Sequence, residues 1–101
     1  MQLIHKTVDP YGNTYWRLLN SNKLHRTAGP AYINSNGSQA WYRHGIRHRE
    51  DGPAVIDANG RHVWYVMGVD ITDKVETWMA ENNIAWPWDA ATQLEFTLRF
   101  V

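Results

Sequence analysis

Three histidines, His25, His44 and His48, and the adjacent acids Glu50 and Asp51 are the side chains of this chain best suited to metal or proton chemistry. His44 and His48 lie four apart, a spacing that on a helix places two imidazoles on one face and can grip zinc. Gly45 interrupts that segment and its surroundings read as strand, so the helical geometry is not expected. His25 and His48 stand in matching contexts, but the position equivalent to Asp51 is Ala28, so no carboxylate accompanies both histidines. Glu50 and Asp51 are neighbours on a strand end and point to opposite faces, which rules out a working acid–base pair. Ser21, Ser35 and Ser38 sit in loop or turn stretches with no nucleophile elbow, and no glycine-rich phosphate loop is present. The expectation is a protein without catalytic residues, metal or cofactor, whose repeated imidazoles serve as structural hydrogen-bonding groups.

The other chemistry-bearing stretch runs from Trp41 to Arg49, where Arg43, Arg47 and Arg49 interleave with Trp41 and Tyr42. Arginine among aromatics can stack bases and neutralise phosphates. The same residue types dominate the centres of protein–protein interfaces. Alternation along a strand puts Trp41, Trp64 and Arg43 on one face, and Tyr42 and Tyr65 on the other with Ala40 and Val63. The small apolar face suits a core. Trp41, Arg43, Arg47, Arg49 and Trp64 are therefore the expected partner-binding set.

These residues are positioned by a repeat. His25-Arg26-Thr27-Ala28-Gly29-Pro30-Ala31, Asn36-Gly37, Trp41-Tyr42 and Gly45 recur 23 residues later as His48-Arg49-Glu50-Asp51-Gly52-Pro53-Ala54, Asn59-Gly60, Trp64-Tyr65 and Gly68. A fixed period of this length marks units that bury their apolar faces only by stacking. Each unit reads as a hairpin: a strand from the proline (Pro30 to Asn34, Pro53 to Asp57), an Asn-Gly turn, and a return strand (Gln39 to Arg43, His62 to Val66). The return strand is broken at His44-Gly45 and at Met67-Gly68. A degenerate unit opens the chain, with Gly12 and Trp16 at the same four-residue spacing as Gly37 and Trp41, followed by a two-residue insertion before His25. His25, Arg26, Gly29, Pro30, His48, Arg49, Asp51, Gly52 and Pro53 form the structural motif of the repeat. Asp51 is placed to accept from Arg49 or from the turn N–H groups, tying strand to Gly-Pro turn.

After Ile71 the pattern changes to helix. Thr72 suits an N-cap, and Val75, Trp78 and Met79 follow at helical spacing to about Asn82 or Asn83. Asp89 suits the cap of a second helix, with Leu94, Leu98 and Val101 on one face and Phe96 and Phe100 on another. The expected architecture is α+β, mainly β: residues 1–71 form about five to seven short antiparallel strands as successive hairpins, and residues 72–101 form a helical cap, within one compact domain. Trp41 should stack over Trp64, Ala31 over Ala54 and Ile33 over Ile56. Trp78, Met79, Leu94 and Leu98 should seal the last hairpin.

The chain has 101 residues, no cysteine, six tryptophans and zero net charge. Up to Gly68 eight basic residues face four acids, whereas from Val69 onward two face six. No run approaches transmembrane length, the opening Met1 to Lys6 is strand-like rather than a targeting segment, and the lack of cysteine fits the cytoplasm. The period, the Asn-Gly hairpins and the Tyr-x-x-Gly breaks (Tyr42 to Gly45, Tyr65 to Gly68) resemble MORN-type repeats. The His-Arg-x-Asp-Gly-Pro-Ala string is similar to that of small, mostly uncharacterised bacteriophage and bacterial proteins. The resemblance implies an interaction scaffold: a protein-binding module, an effector that inhibits a host or defence protein by occupying its surface in the host cytoplasm. The alternatives are a nucleic-acid binder using Arg43 to Arg49, and a structural, assembly or antitoxin-like partner. No membrane contact is expected, and the oligomeric state is left open.

Overall fold

The computed structural model describes residues 3–101; the first two residues of the strand-like opening, Met1 and Gln2, lie outside them. Ten strands and two helices follow in order: β1 (Ile4–Val8), β2 (Thr14–Leu18), β3 (Tyr32–Ile33), β4 (Gln39–Ala40), β5 (Tyr42–Arg43), β6 (Ile46–Arg47), β7 (Val55–Ile56), β8 (His62–Val63), β9 (Tyr65–Val66), β10 (Val69–Asp70), α1 (Thr72–Glu81) and α2 (Ala90–Phe100). An antiparallel sheet runs β1-β2-β3-β4-β7-β8, flanked by two separate ribbons, β5-β6 and β9-β10. The α+β class with hairpins before two C-terminal helices agrees with the sequence reading.

The strand count exceeds the expected five to seven because the second and third return strands are cut at Trp41 and Trp64, and because β6 and β10 pair back on β5 and β9 after the turns. Ala40 pairs with Tyr32 and Val55, while Tyr42, two residues on, pairs with Arg47. Between them Trp41 donates its N–H to Ala54 O at 2.8 Å, and Trp64 likewise separates β8 from β9. The strand thus changes partner in mid-course. The segments read as breaks are themselves tight turns: His44-Gly45 has φ of 50° and 79°, and Met67-Gly68 has 50° and 81°. Two left-handed central residues match the twist of a two-residue hairpin.

The Asn-Gly pairs turn the chain differently from the expectation. Only the glycine is left-handed, at 94° for Gly37 and 83° for Gly60. The loop is organised two residues before the Asn-Gly pair, by Asn34 and Asp57. Gly37 donates to Asn34 O at 2.9 Å and Gly60 to Asp57 O at 3.0 Å. Asp57 Oδ1 accepts from Asn59 N and Arg61 N, each at 2.9 Å. Asp9 does the same for Tyr11 N and Asn13 N, each at 3.0 Å, in the first hairpin. Such side-chain acceptors imitate a backbone turn.

Ala31, Ala40 and Ala54 are buried in the hairpin array, whereas the main apolar core lies under the helices. It comprises Trp64, Val75, Trp78, Trp88 and Phe96, with Met79, Trp86 and Phe100 packed around it. Asp89 caps α2 as expected, accepting from Thr92 N at 2.8 Å. Thr72 does not cap α1. Its hydroxyl accepts from Trp64 N at 3.0 Å, and Ile71 stands at the cap position. The sealing face of α2 also differs: Leu94 and Leu98 are 60% and 77% exposed, while Phe96 is fully buried against Trp88 and Trp78. Aromatic rings of the Trp86 to Trp88 segment fill this side, and phenylalanine matches them better than leucine. Phe96→Ala is expected to lower the free energy of urea unfolding by about 3–5 kcal/mol. Leu98→Ala should change it by no more than about 0.5 kcal/mol; equal losses at the two positions would refute this orientation of α2.

Candidate functional site

Each histidine of the repeated motif has a backbone task. His25 and His48 are both 4% exposed. The Nδ1 of His25 accepts from His44 N at 3.0 Å, and that of His48 accepts from Met67 N at 2.9 Å. The N–H groups served are those of the non-glycine residues in the two-residue turns. Because Nδ1 accepts, the His48 proton lies on Nε2, which donates to Glu50 Oε2 at 3.1 Å. Among the described residues no group of three or more His, Asp or Glu could hold a metal ion.

The arginines that follow are staples. Arg49 lies over the Trp41 ring at 4.0 Å, donates from Nη1 to Pro53 O at 3.0 Å and from Nε to Asp51 Oδ1 at 2.8 Å. Arg26 lies over Trp16 at 3.9 Å and donates from Nη1 to Pro30 O at 3.1 Å. Trp86 covers the second staple, 5.5 Å from Arg49, and its ring also lies against Gly52. A cation on an indole face contributes about 0.5–2 kcal/mol.

Between the two motif loops lies a cavity of about 550 Å³. One wall is the loop from Arg26 to Pro30; the other includes Trp41, Arg43, Arg49, Glu50 and Asp51. Of the expected partner-binding set, the structure brings Trp41, Arg43 and Arg49 to this cavity. Arg47 goes elsewhere: its Nε donates to Tyr42 OH at 3.2 Å and its Nη1 to Tyr65 OH at 3.4 Å. Trp64, 3% exposed, belongs to the helical core, stacked on Trp88 with ring centroids 6.1 Å apart. It therefore does not sit beneath an arginine as Trp16 and Trp41 do, and it offers no surface. Nor do Trp41 and Trp64 share one stack, because the residues after Trp64 are helix rather than a third His-Arg motif. Arg26, Thr27 and Ala28 line the cavity and were not in the expected binding set. The sign of their role in the sequence is that Thr27 and Ala28 replace the acids Glu50 and Asp51.

Comparison of the chain with protein-family models, curated proteins and solved structures finds no match. No helix among the described residues is long and apolar enough to cross a membrane.

Two expectations follow from this geometry. A Cβ on Gly52 would stand 2.9 Å from Trp86 Cζ3 and 3.0 Å from Arg49 Cζ, whereas one on Gly29 would meet only the end of Arg26, at 3.1 Å. Gly52→Ala should cost about 1–3 kcal/mol in chemical denaturation, and Gly29→Ala less, since no ring has to move. Burial pushes the His25 pKa below its ordinary value, and the charges of His44 and Arg43 act in the same direction. The folded value thus lies below the unfolded one of about 6.5. The stability linked to neutral His25 is present above that pH and is lost as the pH falls through it towards the folded value. Thermal stability measured between pH 7.5 and 5 should decline, and His25→Asn, which retains an acceptor for His44 N–H without titrating in this range, should flatten the decline.

Proposed function

We propose that this protein is a non-catalytic protein-binding module of MORN-like hairpin repeats, acting as a small effector that occupies the surface of a host or defence protein. The cavity between the motif loops carries the reading. It combines a half-buried tryptophan with arginines, and two of these, Arg26 and Arg43, have no acidic partner among the described residues. Arginine beside an aromatic ring in a concave, partly desolvated setting is what interface centres favour. Contacts recurring 23 residues apart, from His25 and His48 to the two turns and from Arg26 and Arg49 to the two prolines, support a stacked-hairpin scaffold. An effector of this kind, phage-encoded or bacterial, works in the host cytoplasm.

The nucleic-acid reading is weaker on the same geometry. Arg47 is turned to Tyr42 and Tyr65, and Arg49 is committed to Asp51 and Pro53. The basic stretch therefore does not present a continuous strip to a phosphate backbone. Affinity capture from host lysate separates the readings. The wild-type chain should retain a protein after nuclease treatment and with a shallow dependence on salt, and Arg43→Glu should lose it while unfolding at the wild-type temperature. Loss of the captured material on nuclease treatment, or with the steep salt dependence of phosphate contacts, would overturn the proposal.

A further inference from the structure

We infer that the cavity beside Arg26 is a carboxylate-binding site, and that its occupant is an aspartate or glutamate side chain of the protein partner; the second half of this statement rests on the protein-binding reading. The argument is a comparison of the molecule with itself. In the second motif, Arg49 is anchored by Trp41 and Pro53 O, and its Nε donates to Asp51 Oδ1 at 2.8 Å. In the first, Arg26 is anchored in the same two ways, 3.9 Å from Trp16 and 3.1 Å from Pro30 O. Its carboxylate is missing, because Ala28 stands where Asp51 does. Among the described residues the only ion pairs are His48–Glu50 and Arg49–Asp51, so the acids on the opposite wall are already engaged. Arg43 adds a second unmatched cation to the same cavity.

Space and orientation agree. Over the second motif Trp86 closes the region, lying 5.5 Å from Arg49 and against Gly52. Over the first, a Cβ on Gly29 would meet only Arg26, and Thr27 and Ala28 are exposed on the wall of the cavity. The guanidinium is held in place before any ligand arrives, so little side-chain freedom is lost on binding. An arginine fork with a fixed plane recognises a planar carboxylate through charge-assisted hydrogen bonds.

The test is Ala28→Asp, which supplies the missing carboxylate from within the chain. In the wild type, titration with sodium acetate at constant ionic strength should shift the Arg26 Nε–H resonance saturably. An end-blocked aspartyl tripeptide should do so at equal or lower concentration. Inorganic phosphate should bind no more than about tenfold more tightly than acetate, which sets a carboxylate site apart from a phosphoryl site. In the variant the acetate response should fall at least tenfold, and the melting temperature should rise by about 2–4 °C. The same substitution should abolish capture of the protein partner. Absence of an acetate response at Arg26, an undiminished response in the variant, or a marked preference for phosphate would overturn the carboxylate site. Partner capture that survives Ala28→Asp would overturn the assignment of the occupant while leaving the protein-binding reading standing. An acetate site in a chain that captures no protein would overturn that reading and the occupant together, leaving only the site's chemistry.

Discussion

The structure depends on a hydrogen bond from a turn N–H to an imidazole of the preceding motif. His44 and Met67 are non-glycine residues held left-handed, a conformation that costs about 1–3 kcal/mol each. Each leaves an N–H that the short ribbon does not satisfy, and Nδ1 of His25 or His48 accepts it. For the imidazole to be there, its own backbone must be fixed. His25 N donates to Trp16 O at 3.0 Å and His48 N to Trp41 O at 3.1 Å. The adjoining glycine completes the grip, with Gly45 donating to Leu24 O and Gly68 to Arg47 O, both at 2.8 Å. Strained turn, buried histidine and kinked tryptophan thus form one unit, and the arginine beside the histidine roofs the tryptophan.

Where that unit ends, the helices begin. Ile71 still donates to Trp64 O, at 2.9 Å, but brings no imidazole, and Thr72 Oγ1 accepts from Trp64 N–H. Trp64 therefore has no arginine roof. Trp88, Trp78 and Phe96 cover it instead, which explains why two tryptophans in nearly identical local sequence have opposite fates. The same contrast operates at the candidate site: Trp86 closes the region over Arg49 and leaves the one over Arg26 open.

Much of this was legible in the sequence, and the remainder was hidden for identifiable reasons. The hairpin content, the change to helix after Ile71, the Asp89 cap and the structural role of the histidines follow from local pattern and spacing. The partner switch at Trp41 and Trp64 does not, because it arises from pairing with strands remote in the chain. His44-Gly45 and Met67-Gly68 read as breaks because neither His nor Met advertises a left-handed turn, and only the distant imidazole makes it tolerable. On α2, Leu94 and Leu98 satisfy helical periodicity as well as Phe96 and Phe100 do, and the choice was made by the aromatic rings they meet. At the site, the replacement of Glu50 and Asp51 by Thr27 and Ala28 was visible from the start. Its meaning required seeing Arg26 anchored as firmly as Arg49, with an open cavity in front of it.

The distribution of the indoles has an optical consequence. Trp64, Trp78, Trp86 and Trp88 form a connected cluster with ring centroids 5.0 to 6.1 Å apart. At that range their excited states couple, so the cluster contributes a paired exciton signature to the ultraviolet circular dichroism. Trp16 and Trp41 each lie instead beneath a guanidinium, a cation that perturbs the emission of the ring it covers. The helical end and the hairpin array therefore carry spectroscopically different chromophores, and loosening of one can be followed apart from the other without any added label.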